Sequence, residues 1–189
     1  MRIEDTDALI VVDVQNDFCG GGALAVPQGE TVVTPINRAI GKFEHIVFSR
    51  DWHPEDHCSF SSAPEYRDGS WPPHCIQDTP GAEFRGDLRV PLDACFIEKG
   101  TDAHTEQYSA FSVPGLVEWL HRRGVTQVFL AGLATEYCVY HSTLDAVKAG
   151  FSVVLIEDAV HAVNEEAGRV ALEELRRAGV QFVRSVNLS

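Results

Sequence analysis

Three side chains in this sequence have the chemistry to attack an acyl group together. Asp13 interrupts an apolar run, Lys99 directly follows Phe96-Ile97-Glu98, and Cys138 comes shortly after the apolar stretch that ends at Ala131. Singly, each has an ordinary reading: a turn-forming Asp, a solvated Lys, a Cys acting as a small core hydrophobe. In combination they offer more. A thiol in the first turn of a helix faces unpaired backbone N–H groups and the positive end of the helix dipole, which favours thiolate. A neighbouring carboxylate can take the thiol proton, and a nearby ammonium can stabilise the anion. The backbone N–H groups of that turn can serve as an oxyanion hole. Spacing alone does not bring the three together in space.

A second constellation is Asp51-Trp52-His53-Pro54-Glu55-Asp56-His57, followed by His74 in Trp71-Pro72-Pro73-His74. Asp51 and His53 are two apart, so in extended chain they point to one side. Pro54 keeps the segment from continuing as a helix interior, and His57 can fold back through the loop. One carboxylate and three imidazoles suit a divalent transition metal such as zinc, iron or manganese. The alternative is a polar loop with incidental histidines. Cys58 and Cys75 adjoin this region but are left out of the ligand set, because four ligands suffice and substrate needs an open position. His104 is a weaker candidate near the mouth of such a site.

These residues need elements to hold them. Ala8–Val14 is a short β-branched run without alternation, as a strand covered on both faces requires. Further strands are predicted at Ile46–Arg50, Ala94–Glu98, Gln127–Ala131, Ser152–Glu157 and Gln181–Arg184. Helices are predicted over Thr31–Phe43, Leu116–Arg123, Thr135–Ala149 and Glu165–Ala178. In the last, Ala167, Val170, Ala171, Leu175 and Ala178 share a face and Gly179 stands where a C-terminal cap belongs. Strands alternating with helices predict an α/β fold: an open, mainly parallel six-stranded sheet with helices on both faces, three layers in a Rossmann-like arrangement. Residues 1–189 read as a single domain. Two long Pro-, Gly-, Ser- and Asp-rich stretches, 51–92 and 99–114, belong at the carboxyl ends of the strands, where ligands bind in such sheets.

The bulk numbers exclude some classes. A net charge of -13 leaves no basic patch for nucleic acid or for anionic membrane surfaces. The N-terminus does not read as a signal peptide and no stretch reaches transmembrane length. Five cysteines without a CxxC pair argue against a disulfide framework and for a reducing, cytoplasmic setting. A small-molecule substrate is expected. Oligomeric state stays open between monomer and homo-oligomer.

Nearly end to end, the sequence resembles the nicotinamidase branch of the isochorismatase-like hydrolases. The matching pieces are Val12-Asp13-Val14-Gln15-Asn16-Asp17-Phe18, Gly21-Gly22-Ala23-Leu24-Ala25-Val26, and Arg50-Asp51-Trp52-His53-Pro54 with His57 and Ser59-Phe60. They continue with Trp71-Pro72-Pro73-His74-Cys75, Lys99-Gly100, Tyr108-Ser109-Ala110-Phe111 and Gly132-Leu133-Ala134-Thr135-Glu136-Tyr137-Cys138-Val139. The resemblance implies a catalytic triad of Asp13, Lys99 and Cys138 and metal ligands Asp51, His53, His57 and His74. It implies an oxyanion hole from the N–H groups of Ala134 and Cys138, with a cis peptide at Leu133–Ala134. It also implies a pocket walled by Phe18, Trp71, Tyr108, Leu133 and Ala134. The implied reaction is hydrolysis of nicotinamide to nicotinate and ammonia, with pyrazinamide also accepted, the metal reading the ring nitrogen, and a place in NAD salvage and pyridine nucleotide biosynthesis. Glu136 stands where the family more often has Asp, and Asp78 where Gly is common. Two rivals are carried: another amidohydrolase of the superfamily acting on a carbamoyl or ureido substrate, and a non-catalytic metal-binding protein.

Overall fold

Strands that are apolar on both sides need cover on both faces of their sheet. The computed structural model of the chain, which describes residues 1–66 and 69–189, supplies it. Among the described residues six strands form one sheet: β1 (Asp7–Val12), β2 (His45–Asp51), β3 (Cys95–Lys99), β4 (Gln127–Leu133), β5 (Ser152–His161) and β6 (Gln181–Val183). Their order is β3-β2-β1-β4-β5-β6, and every pairing is parallel. The helices are α1 (Val33–Ile40), α2 (Leu116–Arg122), α3 (Tyr140–Lys148) and α4 (Glu165–Arg177).

The period of two along β1 divides the core. Leu9 and Val11 face one side with Ile36 and Ala39 of α1. Ala8, Ile10 and Val12 face the other with Leu116 and Leu120 of α2, Ala146 of α3 and Leu175 of α4. The expected three-layer α/β arrangement is therefore present, and the sheet is wholly parallel. The chain leaves β1 toward β2 and β3 on one side, then returns to β4, β5 and β6 on the other. The carboxyl ends of β1 and β4 thus flank the switch point where an open α/β sheet forms its crevice.

Several boundaries differ from expectation. The first strand stops at Val12 rather than Val14, because Asp13 takes a left-handed backbone (φ 50°) that turns the chain out of the sheet. The predicted helix 31–43 is a 3₁₀ turn over Gly29–Val32 followed by α1. The predicted helix 135–149 is a π-helical turn, Thr135–Val139, leading into α3. In α4 the buried stripe is Gly168, Ala171 and Leu175, while Ala167, Val170 and Ala178 are exposed. Gly168 packs so close to Ala162 that a Cβ there would sit 2.4 Å from the Ala162 Cβ, which rotates the helix by one residue from the predicted face. Its ends are as expected: the Asn164 side chain accepts from Ala167 N–H, and Gly179 takes a left-handed conformation.

Among its described residues, the 52–94 connection between the neighbouring strands β2 and β3 has no α-helix. Short backbone pairings tie parts of it together, His53 with Ile76 and Phe60 with Trp71. All five cysteines are unpaired thiols. No helix among the described residues is long and apolar enough to cross a membrane.

Candidate active site

Asp13, Lys99 and Cys138 come from the ends of β1, β3 and β4, and the sheet order brings them into one buried cluster. Lys99 is the last residue of β3 and is fully buried. Its Nζ lies 2.8 Å from Asp13 Oδ2 and 3.3 Å from Cys138 Sγ, and it also pairs tightly with Asp51. Ser49 Oγ on β2 donates to Asp13 Oδ1 at 2.7 Å. Lys99 is the cation on Asp13 Oδ2, and the Cys138 thiol lies against the same carboxylate. The two strands that flank the crevice approach closely there: a Cβ on Gly132 would sit 2.0 Å from Val12 O, and its φ of +122° further excludes other residues.

Charge in this cluster is set by burial. Removal from water pushes the Cys138 thiol well up; Lys99 opposes this, and Asp13 and Asp51 add to it. Burial first, and the two carboxylates after it, thus favour the thiol over the thiolate that a helix turn alone would favour. Burial also raises the Asp13 carboxyl, against the pull of Lys99. Burial alone would lower Lys99, but the Asp13 and Asp51 carboxylates outweigh it and keep the ammonium charged. For Asp51 burial is likewise outweighed, by Lys99, His53 and His74, and its carboxyl is held well below the usual range.

The second constellation sits beside the first. Asp51 ends β2, and the Gln15 side chain grips its peptide from both sides: Nε2 donates to Asp51 O and Oε1 accepts from Asp51 N–H, each at 2.8 Å. Asp51 Oδ2 lies 3.6 Å from His53 Nε2 and 4.0 Å from His74 Nε2. One donor atom from each of Asp51, His53 and His74 falls within 4.8 Å of the others, a set that could hold a metal ion. The tautomers suit it. His53 Nδ1 faces Gly100 O at 2.9 Å and His74 Nδ1 faces Pro72 O at 2.8 Å. With Nδ1 donating to a carbonyl, Nε2 of each ring is the nitrogen left to face the cluster, and for His53 the Asp51 carboxylate outweighs burial and raises the imidazole, so a metal ion there would displace its proton. Gly100 permits the His53 pairing, since a Cβ there would lie 2.3 Å from His53 Cε1. Burial lowers His74 to about 4, which keeps its imidazole neutral. His57 stands apart. Its ring lies 4.1 Å from that of His53, but Nδ1 is 2.8 Å from Ser59 Oγ and Nε2 is 3.2 Å from Thr105 O. His104 is exposed and joins neither cluster.

Between the clusters opens a cleft of about 470 Å³, counting its mouth. Phe18, Trp71, Tyr108 and Ala134 line it, as do Cys138, Asp51, His53 and His74. Leu133 does not: as the last residue of β4 it shares the alternation of Phe129 and Ala131, and its side chain is fully buried in the α1 face of the core; the Leu133–Ala134 peptide is cis. Trp71 Nε1 donates to Tyr108 Oη at 3.1 Å, and Tyr137 stands edge-on to Trp71 at 5.1 Å. This aromatic wall fits a flat, uncharged ring. Sequence reasoning missed Tyr137, Leu24, Val26, Glu106 and Val163 on the lining. It also missed the supports Gln15 and Ser49, both fully buried. Gln15 stands in the polar run Gln15-Asn16-Asp17, so nothing in its sequence surroundings marked it as buried. Glu136 accepts the N–H groups of Val163 (3.2 Å) and Asn164 (2.7 Å), tying the turn that carries Cys138 to a cleft-lining loop.

The isochorismatase domain family matches residues 7–185 of the chain. The nicotinamidase/pyrazinamidase of Mycobacterium tuberculosis is 40% identical over 186 residues, covering 93% of this chain and 97% of that protein. A crystal structure of the pyrazinamidase of Pyrococcus horikoshii in complex with zinc is 46% identical, with a TM-score of 0.88 over 95% of this chain and 99% of the other. The L. infantum protein PnC1, crystallised in complex with nicotinate, is 39% identical, with a TM-score of 0.91 over 100% of this chain and 98% of the other.

Proposed function

The chain belongs to the isochorismatase family, and from that membership and the geometry of its site we infer how it works as a nicotinamidase. It is an amidohydrolase that converts nicotinamide and water to nicotinate and ammonia. The observation that carries the reading is one cleft lined both by Cys138, with Asp13 and Lys99 buried behind it, and by Asp51, His53 and His74.

The neutral Cys138 thiol gives its proton to Asp13 Oδ2 as Sγ bonds to the carboxamide carbon. The carbonyl electron pair moves to oxygen, where the N–H groups of Ala134 and Cys138 hold it. Asp13 then passes the proton to nitrogen, the C–N bond breaks, and ammonia leaves a thioester on Cys138. Asp13 takes a proton from an entering water as that water attacks. The C–S bond breaks, Asp13 returns the proton to sulfur, and the product leaves as nicotinic acid, which loses the water's remaining proton to solvent to become nicotinate. Lys99 stays protonated throughout and offsets the charge that moves between Asp13 and Cys138. Phe18, Trp71, Tyr108 and Tyr137 sandwich the ring and exclude water.

The donor set of Asp51, His53 and His74 fits a divalent transition metal, whether zinc, iron or manganese. When bound, the ion supplies a Lewis-acidic position for the ring nitrogen. His57 joins the set if its ring leaves Ser59 and Thr105.

The test is ammonia release and product identification with nicotinamide, pyrazinamide and a panel of carbamoyl and ureido compounds, paired with metal analysis of protein purified without added metal. Nicotinamide and pyrazinamide should be the preferred substrates, with one metal per chain that is lost in His74→Ala. A large preference for a ureido substrate would overturn the substrate assignment. Metal binding without any turnover would favour a non-catalytic metal-binding protein.

A further inference from the structure

We propose that Asp17, which is neither a metal ligand nor in contact with the reacting atoms, is the positioning residue that sets the metal-binding geometry of His74 and His53. The proposal rests on the metal reading above.

Asp17 lies in the turn after β1, one residue before Phe18. Its carboxylate reaches into a different segment, accepting Cys75 N–H at Oδ2 (2.8 Å), while Oδ1 accepts Ala23 N–H (3.1 Å). Its own N–H donates to Gly81 O at 3.0 Å and its carbonyl accepts Leu24 N–H at 3.0 Å. One residue therefore ties the 15–24 turn to both ends of segment 75–81.

Cys75 is the point where this matters. It immediately follows His74, is fully buried, and holds a left-handed backbone (φ 46°). A non-glycine residue keeps that conformation only where its surroundings hold it there. The Asp17 carboxylate supplies the hold on its N–H. On its other side, Cys75 O accepts His53 N–H at 3.0 Å, and His53 O accepts Gln77 N–H at 2.8 Å. Asp17 thus holds the His74–Cys75 peptide by its N–H, and the next peptide, through Cys75 O, meets the backbone of His53, so the left-handed Cys75 is the joint between the two histidines. Phe18, carried by the same turn as Asp17, packs its ring 5.5 Å from that of His74. Without Asp17 the Cys75 peptide is free to leave the left-handed region. The two Nε2 lone pairs would then no longer converge.

Gly81 offers a second handle. A Cβ at position 81 would lie 2.2 Å from Asp17 Oδ2, and Gly81 has an ordinary φ, so the methyl of Gly81→Ala acts by displacing the carboxylate. Gly81 touches neither cluster of the active site.

The experiment measures zinc affinity by competition with a chelator, and the visible spectrum of the cobalt(II)-loaded protein, for the parent, Asp17→Asn, Gly81→Ala and Gly179→Ala. The last strains the left-handed C-terminal cap of α4 just before β6, at the end of the sheet opposite the crevice, and controls for general loss of stability. Groups that orient metal ligands typically contribute about 10–100-fold to metal affinity. Asp17→Asn and Gly81→Ala should each weaken zinc binding by about that factor and alter the cobalt spectrum. Gly179→Ala should lower Tm and leave both unchanged. If Asp17→Asn does not fold, Gly81→Ala decides alone. Parent-like affinity in the folded Asp17→Asn or Gly81→Ala, or an equal loss in Gly179→Ala, overturns the proposal while leaving the metal site intact. A parent that binds no zinc or cobalt overturns the metal reading and this inference with it.

Discussion

Lys99 is the most demanding side chain to remove. Its ammonium is fully buried against Asp13, Asp51 and Cys138, and Lys99→Met keeps the stem while deleting the charge. What remains is a pair of buried carboxylates with no cation of their own. Removing one partner of a buried ion pair costs about 3–5 kcal/mol, because the other charge is left uncompensated. For a domain of this size each kcal/mol moves Tm by about 2–4 °C, so metal-free Lys99→Met should melt about 6–20 °C below the parent at pH 8. The deficit should shrink on acidification. Without Lys99, burial and mutual repulsion lift the folded-state carboxyl pKa values above the unfolded value of about 3.9. The folded variant then binds protons that the unfolded chain does not, and it regains stability as pH falls through the raised values. In the parent, Asp51 is depressed instead, so its contribution is lost only below that range and does not vary between pH 5 and 8. Circular-dichroism melts with chelator at pH 8 and pH 5 read both effects. A Tm within about 2 °C of the parent at pH 8, or a larger deficit at pH 5 than at pH 8, would refute the charge balance described for this cluster.

Cys138→Ala should fold and retain metal but lose turnover by on the order of 10⁴-fold or more in an ammonia-release assay, and near-normal rates would eliminate covalent catalysis. Because the Cys138 thiol is raised by burial, inactivation of metal-free protein by iodoacetamide should quicken steadily from about pH 6 to about pH 9. A plateau already reached below neutral pH would show a resting thiolate instead. Glu136→Gln replaces one of the two acceptors that hold Val163 and Asn164 with a donor. It should raise KM for nicotinamide by about 2–10-fold with kcat little changed, and a fall in kcat at constant KM would place Glu136 in the chemistry instead.

The chemistry was legible wherever a reactive side chain broke an apolar run. Asp13 and Lys99 announced themselves against β1 and β3, and the covered strands required an open parallel sheet. Strand order was not legible, because nothing local to β1 says that β2 and β4 flank it. Local backbone detail was hidden for a related reason. Asp13 is a strand residue by its neighbours and leaves the strand on a left-handed backbone that a turn bond from Gln15 N–H to its carbonyl closes. The stripe on α4 shifted because Gly168, weak as a core residue on paper, packs against Ala162. His57 shows the limit of spacing as evidence: it has the right distance in sequence from His53, yet hydrogen bonds to Ser59 and Thr105 decide where its nitrogens point. Leu133 adjoins the nucleophile turn and is buried on the far side of it. Gln15, Ser49 and Asp17 exert their effect through other groups, and nothing in their residue type identifies the peptide or carboxylate they hold.

The crossover between β2 and β3 has a consequence for how such a chain can change. Its two ends, Asp51 and Lys99, are register partners on adjacent strands, so the gap that any connection there must bridge is only about one strand spacing, roughly 4.8 Å. Closing a short gap with a longer loop adds little entropic penalty, since that penalty grows only with the logarithm of length. Residues 52–94 can therefore change in length without disturbing the pairing of β2 with β3. His53, His74 and Trp71 ride on that connection, whereas Asp13, Lys99 and Cys138 do not. One part of the cleft wall can thus vary while the strand ends stay fixed, provided the ties from Gln15 and Asp17 to Cys75, Gly81 and Ala82 are kept.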